Sequence, residues 1–334
     1  MGGGTKVSPL FERGAHQIMR IVFFGTSEFA IPSLKAILGS KHEVVAVVTQ
    51  PDSKKGRALK LSPSPVKVIA VSHSIPVYQP VNASSSESIG YLKGLGADLF
   101  IVISFGQILK EDVLNIPRLF AINVHGSLLP KWRGASPTNR AIIAGERSTG
   151  VTVIKMNARM DEGDIILKEE IGIECEDTNI TLSEKLSELG ASVLLKTVEL
   201  IDAKGKNLPV VKQHSSLVTI AAKLKKSDGL INWKEPAAVI HNKVRGLLPW
   251  PGAYTGYEGR VLKILKTELV KDIFPDQSPG EVVAASAIDG IVVKTGFGAI
   301  SIKFLQPEGK KEMDSGSFLL GHRITKGYQF NKSL

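Results

Sequence analysis

Over the first two hundred positions, short apolar runs alternate with amphipathic segments. Residues 21–25, 44–49, 77–78, 97–104, 119–125, 150–156 and 165–173 read as strands. Several are apolar at nearly every position, as strands covered on both faces must be. Between them the apolar spacing changes to the helical period. After Ser27, an N-cap candidate followed by Glu28, Leu34, Ile37 and Leu38 make one face. Residues 63–74, 84–95 and 135–144 read as further helices, and 105–114 as a loop and helix. A long amphipathic segment, 181–203, places Leu182, Leu186, Leu189, Val193 and Leu194 on one side. This alternation predicts an α/β domain with a Rossmann-like, mostly parallel sheet. Residues 204–209 end the long helical segment and begin a connector, and the texture changes beyond residue 252. One more helical pattern, 236–247, leads into Pro249-Trp250-Pro251-Gly252, and short strands follow at 260–267, 281–285, 290–295 and 299–304 with glycine turns between them. That pattern predicts a small antiparallel, OB-like barrel. The expected layout is an extension over 1–18, a catalytic domain over 19–208, a linker over 209–222 and a C-terminal domain over 223–330.

Composition narrows the function classes. The chain of 334 residues is long enough for two cores. No apolar run reaches the ~18–20 residues of a membrane span. Cys175 is the only cysteine, which excludes an internal disulfide and suits a reducing, cytoplasmic setting of bacterial type or an organelle. Residues 1–18 lack the ~7–15 apolar residues of a signal sequence. Met19, directly before the first strand, reads as the native start, and Glu12 with few serines argues against a transit peptide. The formal charge is +10, and residues 223–334 hold 17 Lys+Arg against 11 Asp+Glu. A basic second module points to a polyanionic partner such as nucleic acid.

Three common chemistries fit poorly. Gly25 stands where a first strand meets a helix, and Asp52 follows 27 residues later, but Ser27 and Ala30 occupy the places of the second and third glycines that a pyrophosphate requires. The histidines show no metal-ligand spacing, and Asp161 with Asp164 is more simply a turn around Gly163, so no metal is expected. Ser104 and Ser127 lack the Gly-x-Ser-x-Gly elbow of a hydrolase. What remains is Asn123 and His125, two apart in an apolar strand and therefore on one face, ahead of the strand-ending Gly126. Such a pair is costly unless the two side chains satisfy each other or are used. Asp161, at the end of the next strand but one element on, offers a carboxylate to the same region.

The motifs Asn123-Val124-His125-Gly126-Ser127-Leu128-Leu129-Pro130, Arg133-Gly134-Ala135-Ser136-Pro137, Gly150-Val151-Thr152 and Asp161-Glu162-Gly163-Asp164 resemble those of the folate-dependent formyltransferases. Thr49-Gln50-Pro51-Asp52, Leu61-Ser62-Pro63-Ser64-Pro65 and Pro249-Trp250-Pro251-Gly252 resemble the branch of that family that works on charged tRNA. The resemblance implies transfer of the formyl group of 10-formyltetrahydrofolate, a co-substrate, to the amino group of methionine on initiator tRNA, by a monomer. It leaves as alternatives a purine intermediate or amino-sugar nucleotide as acceptor, and an inactive folate- or RNA-binding module.

By the same resemblance Asn123, His125 and Asp161 are catalytic. His125 and the Asn123 amide would stabilise a tetrahedral oxyanion, while Asp161 would keep His125 protonated or correctly oriented and take the amine's proton. Ser127, Leu128, Leu129 and Pro130 would line the folate pocket, with Phe105, Gly106, Gln107, Ile108 and Leu109 walling the pterin. Arg57, with Lys54, Lys55 and Lys60, would meet the tRNA acceptor stem through phosphate contacts. Ala58 and Leu59 stand where a more basic run is common, so fewer phosphates would be met there.

Overall fold

The structure, a computed structural model, describes residues 18–55, 60–272 and 274–330. The chain starts with β1 (Arg20–Gly25), α1 (Ile31–Leu38) and β2 (Glu43–Val48). A small hairpin, β3 (Ser53–Lys55) with β4 (Lys60–Ser62), precedes α2 (Pro65–Ser72) and β5 (Val77–Tyr78). Then come α3 (Ser86–Gly94), β6 (Leu99–Ile103), α4 (Glu111–Leu114) and β7 (Phe120–His125). The first half closes with β8 (Arg133–Gly134), α5 (Pro137–Ile143), β9 (Ser148–Lys155), β10 (Asp164–Gly172) and α6 (Asn179–Lys204).

Seven strands form the main sheet in the order β10-β9-β7-β6-β1-β2-β5. β5, β2, β1, β6 and β7 are parallel, and β9 runs antiparallel to both its neighbours. The chain moves outward from β1 through β2 to β5, then crosses back to lay β6 on the other side of β1. A crevice opens outside the carboxyl ends of strands where the order reverses, and ligands of open α/β sheets bind there.

Strand alternation splits the core in two. Ile21, Phe23, Leu99, Ile101, Ile103, Ile122 and Val124 pack beneath α1 and α6. Val22, Phe24, Phe100, Val102 and Ala121 face the opposite way, towards Leu92, Val113 and Leu114. Each fully buried side chain of this size contributes roughly 1.5–3 kcal/mol, so this two-sided burial fixes the strand register. The loop and helix expected over 105–114 are present: Ser104 and Gly106, at φ +48° and +88°, hold the chain in a loop, and α4 adds a single turn. α6 starts at a capping box in which the Thr178 hydroxyl accepts from Thr181 N while Thr178 N donates to Thr181 Oγ1.

Residues 209–222, expected as a linker, are stitched to the first sheet. Val211 and Ile165 exchange both backbone hydrogen bonds at 2.8 Å. β11 (Ile220–Ala221) pairs in parallel with β8.

The second half contains α7 (Ala237–Gly246) and the strands β12 (Ala253–Tyr257), β13 (Arg260–Val270), β14 (Val282–Ser286), β15 (Gly290–Lys294) and β16 (Ala299–Pro307). β17 (Met313–Asp314) and α8 (Ser315–Gly321) complete it. The antiparallel ladder runs β12-β13-β16-β15-β14, with β17 on β16. Trp233, Ile240, Val244, Ile264, Ile300 and Phe318 are buried in its core. β12 escaped the sequence reading because Ala253-Tyr254-Thr255-Gly256-Tyr257 is short, glycine-containing and lacks alternation.

α7 joins the halves by packing on α5. Asn139 Nδ2 donates to the Gly246 carbonyl at 2.8 Å, and a Cβ at Gly246 would stand 2.8 Å from the Ile143 side chain. Arg245 donates to the carbonyls of Glu174 and Asp177 at 3.1 and 2.8 Å.

Candidate active site

β7 brings Asn123 and His125 to one face, as period-two alternation requires. It is the face that carries Ala121 in the α3/α4-side core, and at its carboxyl end the apolar lining gives way to this polar pair. His125 is only 7% exposed. Gly126 ends the strand against the Phe29 ring, which a Cβ there would meet at 3.4 Å.

Asp161 arrives from the loop between β9 and β10. Its φ is +54°, and Gly163, two residues on, has no room for a Cβ against the Lys155 carbonyl. The tight turn swings the carboxylate back over β7. Its Oδ2 accepts from Gly134 N at 2.8 Å, and its Oδ1 accepts from Asn123 Nδ2 at 3.3 Å. His125 Nδ1 lies 3.6 Å from Oδ1. The three side chains singled out in the sequence are therefore in one cluster.

The other imidazole nitrogen is committed elsewhere. His125 Nε2 lies 2.9 Å from the Trp132 carbonyl oxygen. A carbonyl only accepts, so Nε2 carries the hydrogen and donates it. This leaves Nδ1, on the Asp161 side, as the atom free to act. Trp132 holds its carbonyl there at φ +61°, a conformation uncommon for a bulky residue.

The cluster lies in a cleft of about 1220 Å³. Phe105, Gly106, Gln107, Ile108 and Leu109 form one wall, and Met156 to Asp161 the facing one. The Phe105 carbonyl accepts from Thr26 Oγ1 at 2.9 Å and from Gln50 Nε2 at 3.2 Å, which pins the loop to β1 and β2. The Gln107 side chain is already spent on Ala83 N and the Pro80 and Val81 carbonyls. Only the backbone of that loop is left to offer polar groups.

Ser127, Leu128, Leu129 and Pro130, expected beside the folate, follow directly on Gly126 of the cleft lining and are not themselves part of it. Ser127 is fully buried, its Oγ donating to the Lys131 carbonyl at 2.6 Å. Its own carbonyl accepts from Thr152 Oγ1 at 2.7 Å, and the same hydroxyl accepts from Leu129 N at 3.1 Å. Leu129 is buried with Ile154 and Ile165. Leu129 gains more from this burial than from a cleft wall. The segment works from behind, setting the backbone that delivers the Trp132 carbonyl and the Gly134 amide.

The basic loop is described only in part. Lys54 is exposed on β3, which pairs with β4. Arg57 lies outside the described residues, as do the side chains of Lys55 and Lys60. The base of the loop is anchored, since Lys67 Nζ and Gln79 Nε2 bind the Asp52 carboxylate at 2.8 and 2.7 Å. These two bonds hold the Asp52 carboxyl below its usual range.

Among the described residues no group of three or more His, Cys, Asp or Glu is placed to hold a metal, and no helix is long and apolar enough to cross a membrane. Three site features have no simple sequence signal: the Trp132 carbonyl, the Gly134 amide and Gln213. The first two are backbone atoms; the third lies in the expected linker and donates to the Asp161 carbonyl at 2.8 Å.

Residues 19–198 match the family described as formyl transferase, and residues 223–323 the formyl transferase C-terminal domain. The chain is 45% identical to the methionyl-tRNA formyltransferase of Citrifermentans bemidjiense over 309 residues, which is 92% of this chain and 95% of that one. It is 44% identical to the enzyme of the same name from Symbiobacterium thermophilum, covering 94% and 96%. Among solved structures it shares its fold with an N-formyltransferase from Helicobacter canadensis in complex with folinic acid and dTDP-3-aminofucose. The TM-score is 0.64 at 21% identity, over 86% of this chain and 99% of that one. HypX from Aquifex aeolicus in complex with tetrahydrofolic acid gives 0.63 at 17% identity, over 94% of this chain and 51% of that one. By its match across both halves, the chain belongs to the formyl transferase family and, within it, to the methionyl-tRNA formyltransferases.

Proposed function

We propose that this chain moves the formyl group of 10-formyltetrahydrofolate onto the α-amino group of methionine carried by initiator tRNA. The observation that carries this reading is the convergence of Asn123, His125 and Asp161 in the wall of a cleft too large for one small molecule. Sites for a single drug-sized ligand run to roughly 300–1,000 Å³. Apolar walls from Phe105, Ile108, Leu109 and Met156 suit a pterin, and the backbone of 106–109 supplies polar anchors. The remaining volume accommodates the methionyl end of the acceptor.

In the reaction the methionyl nitrogen bonds to the formyl carbon and the carbonyl oxygen takes up negative charge. Asn123 has a second N–H beyond the one given to Asp161, and it donates to that oxygen. His125, fixed by its Nε2–H on Trp132, acts from Nδ1 when that atom is protonated. Donors held in place before charge develops need no reorganisation. Asp161, whose Oδ2 is occupied by Gly134 N, takes the amine proton at Oδ1, directly or through water. The bond from the formyl carbon to N10 of the folate then breaks, and N10 accepts a proton. The amide of formylmethionine and tetrahydrofolate leave.

Lys54, Lys55, Arg57 and Lys60 are read as phosphate contacts, and the basic C-terminal half as a further RNA surface. We read the protein as a monomer of the cytoplasm, in keeping with the exposed free Cys175. The discriminating experiment offers 10-formyltetrahydrofolate with each of three acceptors in turn: methionyl initiator tRNA, an amino-sugar nucleotide and glycinamide ribonucleotide. Formylation of the charged tRNA alone is expected. Formylation of either small acceptor in its place would overturn the assignment.

A further inference from the structure

Gln213 lies in the connector between the two halves, yet its side chain ends at the catalytic loop. Its Nε2 donates to the Asp161 carbonyl at 2.8 Å and to the Gly163 carbonyl at 2.7 Å. Its Oε1 accepts from Arg133 Nε at 3.0 Å and from a second Arg133 nitrogen at 2.9 Å. Arg133 is itself 8% exposed and pairs through its remaining nitrogen with Glu162 at 3.1 Å. Both hydrogens and both lone pairs of the Gln213 amide are used. A saturated amide has nothing left to offer a substrate, so its role is to hold something else.

What it holds is Asp161 in a left-handed conformation, in a turn whose Gly163 has no room for a side chain. Such a conformation persists only where surrounding bonds over-determine it. Gln213 can supply them because its own backbone is fixed on both sides: Val211 bridges Ile165, and Ile220–Ala221 pairs with β8. The strap thus grips both loops that meet at the Asp161 carboxylate. It binds the carbonyls of the loop that bears Asp161, and it binds Arg133, the neighbour of Gly134 whose amide the carboxylate accepts.

We propose that Gln213 is a positioning residue for the reaction, acting through Asp161. The connector to the second half is then part of the catalytic scaffold. This rests on the reading of Asp161 given under Proposed function. Gln213→Glu keeps an acceptor for Arg133 but replaces the two donors with an oxygen that repels both loop carbonyls. The test is single-turnover formylation of methionyl-tRNA by the full-length wild type, Q213E, D161N and the double variant, with thermal unfolding of each. Misplacing a reacting group by about 1 Å can cost on the order of 100-fold, so Q213E is expected to be slowed roughly 10- to 100-fold. The tRNA KM should be little changed. In the D161N background the same change should cost less than about twofold, because residues acting as one unit are not additive. A role confined to stability would slow both backgrounds alike. Should Q213E not fold, Gln213→Met, close in length and without donors, carries the same comparison. An unchanged rate in Q213E, or losses that multiply, would overturn the proposal. D161N turning over like wild type would instead overturn the reading of the site, and this inference with it.

Discussion

Aspartate at φ +54° costs on the order of 1–3 kcal/mol, and Asp161 carries that cost where its carboxylate meets Gly134 N, Asn123 and His125. At this scale Asn123→Ala, His125→Ala and Asp161→Ala are each expected to keep the fold. Each should lose roughly 10²- to 10³-fold in kcat, as removal of one preorganised donor does elsewhere. Circular dichroism and a steady-state formylation assay check both halves of that statement, and near wild-type kcat in any one would remove its role. Gly134 makes a separate prediction. It sits at φ +120°, and a Cβ there would stand 2.7 Å from the Ala221 carbonyl oxygen. Gly134→Ala should displace β11, cost about 1–3 kcal/mol of stability in a denaturant titration, and slow turnover by disturbing the amide that holds Asp161. Asn123 and His125 were legible because strand alternation fixes which side chains share a face. The Trp132 carbonyl and Gly134 amide were not, since every residue type has them. Gln213 was hidden for another reason: a polar residue in a connector, fifty positions from its partner, has no period to betray it.

Among the elements, the parallel strands were the clearest in the sequence because burial on both faces leaves unbroken apolar runs. The segment 105–114 is the loop and helix its pattern suggests, with Ser104 and Gly106 at positive φ holding the loop open and leaving the helix a single turn. α7 carries a pH-dependent prediction. Burial, with Arg245 adding to it, holds the His241 imidazole below its usual range against the opposite pull of Glu176, the Cys175 backbone and Glu268. Burial does the same to His42, partly offset by Asp202. Unfolded histidine titrates near ~6.5. As the pH falls below that value the unfolded chain gains protons that the folded one still refuses, so stability drops. Asp177 works in the same direction at lower pH. Burial would raise its carboxyl, but Lys185, the Glu174 amide and Thr181 together outweigh that and hold it below the usual range. Its contribution is lost as the pH falls through its folded value. The urea midpoint should therefore decline from pH 7 to pH 5. His241 Nδ1 lies 2.9 Å from Thr267 Oγ1; His241→Gln, which can still bond that hydroxyl, should flatten the decline, and an identical slope in the variant would show that His241 does not contribute.

For the whole molecule, charge and covalent continuity matter most. The +10 surplus is densest in the C-terminal half, and Lys54, Lys55, Arg57 and Lys60 add cations that follow in sequence on Ser53, a residue of the cleft lining. If phosphates are bound, each contact releases counterions and the tRNA KM must rise with salt. Arg57→Ala should raise that KM or lower kcat, and shallow the salt slope by about one contact. A KM indifferent to salt between 50 and 200 mM would remove the phosphate-binding role. Two family models cover residues 19–198 and 223–323, and a two-part architecture was readable from the change of texture beyond Pro249-Trp250-Pro251-Gly252. The route by which the second part reaches the site was not, because strand pairing of 211 and 220–221 depends on partners far along the chain.

The most direct test is the rate of formylmethionyl-tRNA formation from 10-formyltetrahydrofolate and methionyl initiator tRNA, for the wild type beside Asp161→Asn. Asparagine tolerates the left-handed turn and can still accept from Gly134 N, so the fold and cleft should persist while the proton acceptor is gone. The expected result is rapid formylation by the wild type and at least about 100-fold slower formylation by the folded variant. Equal rates, or no formylmethionyl-tRNA from the wild type, would contradict the assigned chemistry.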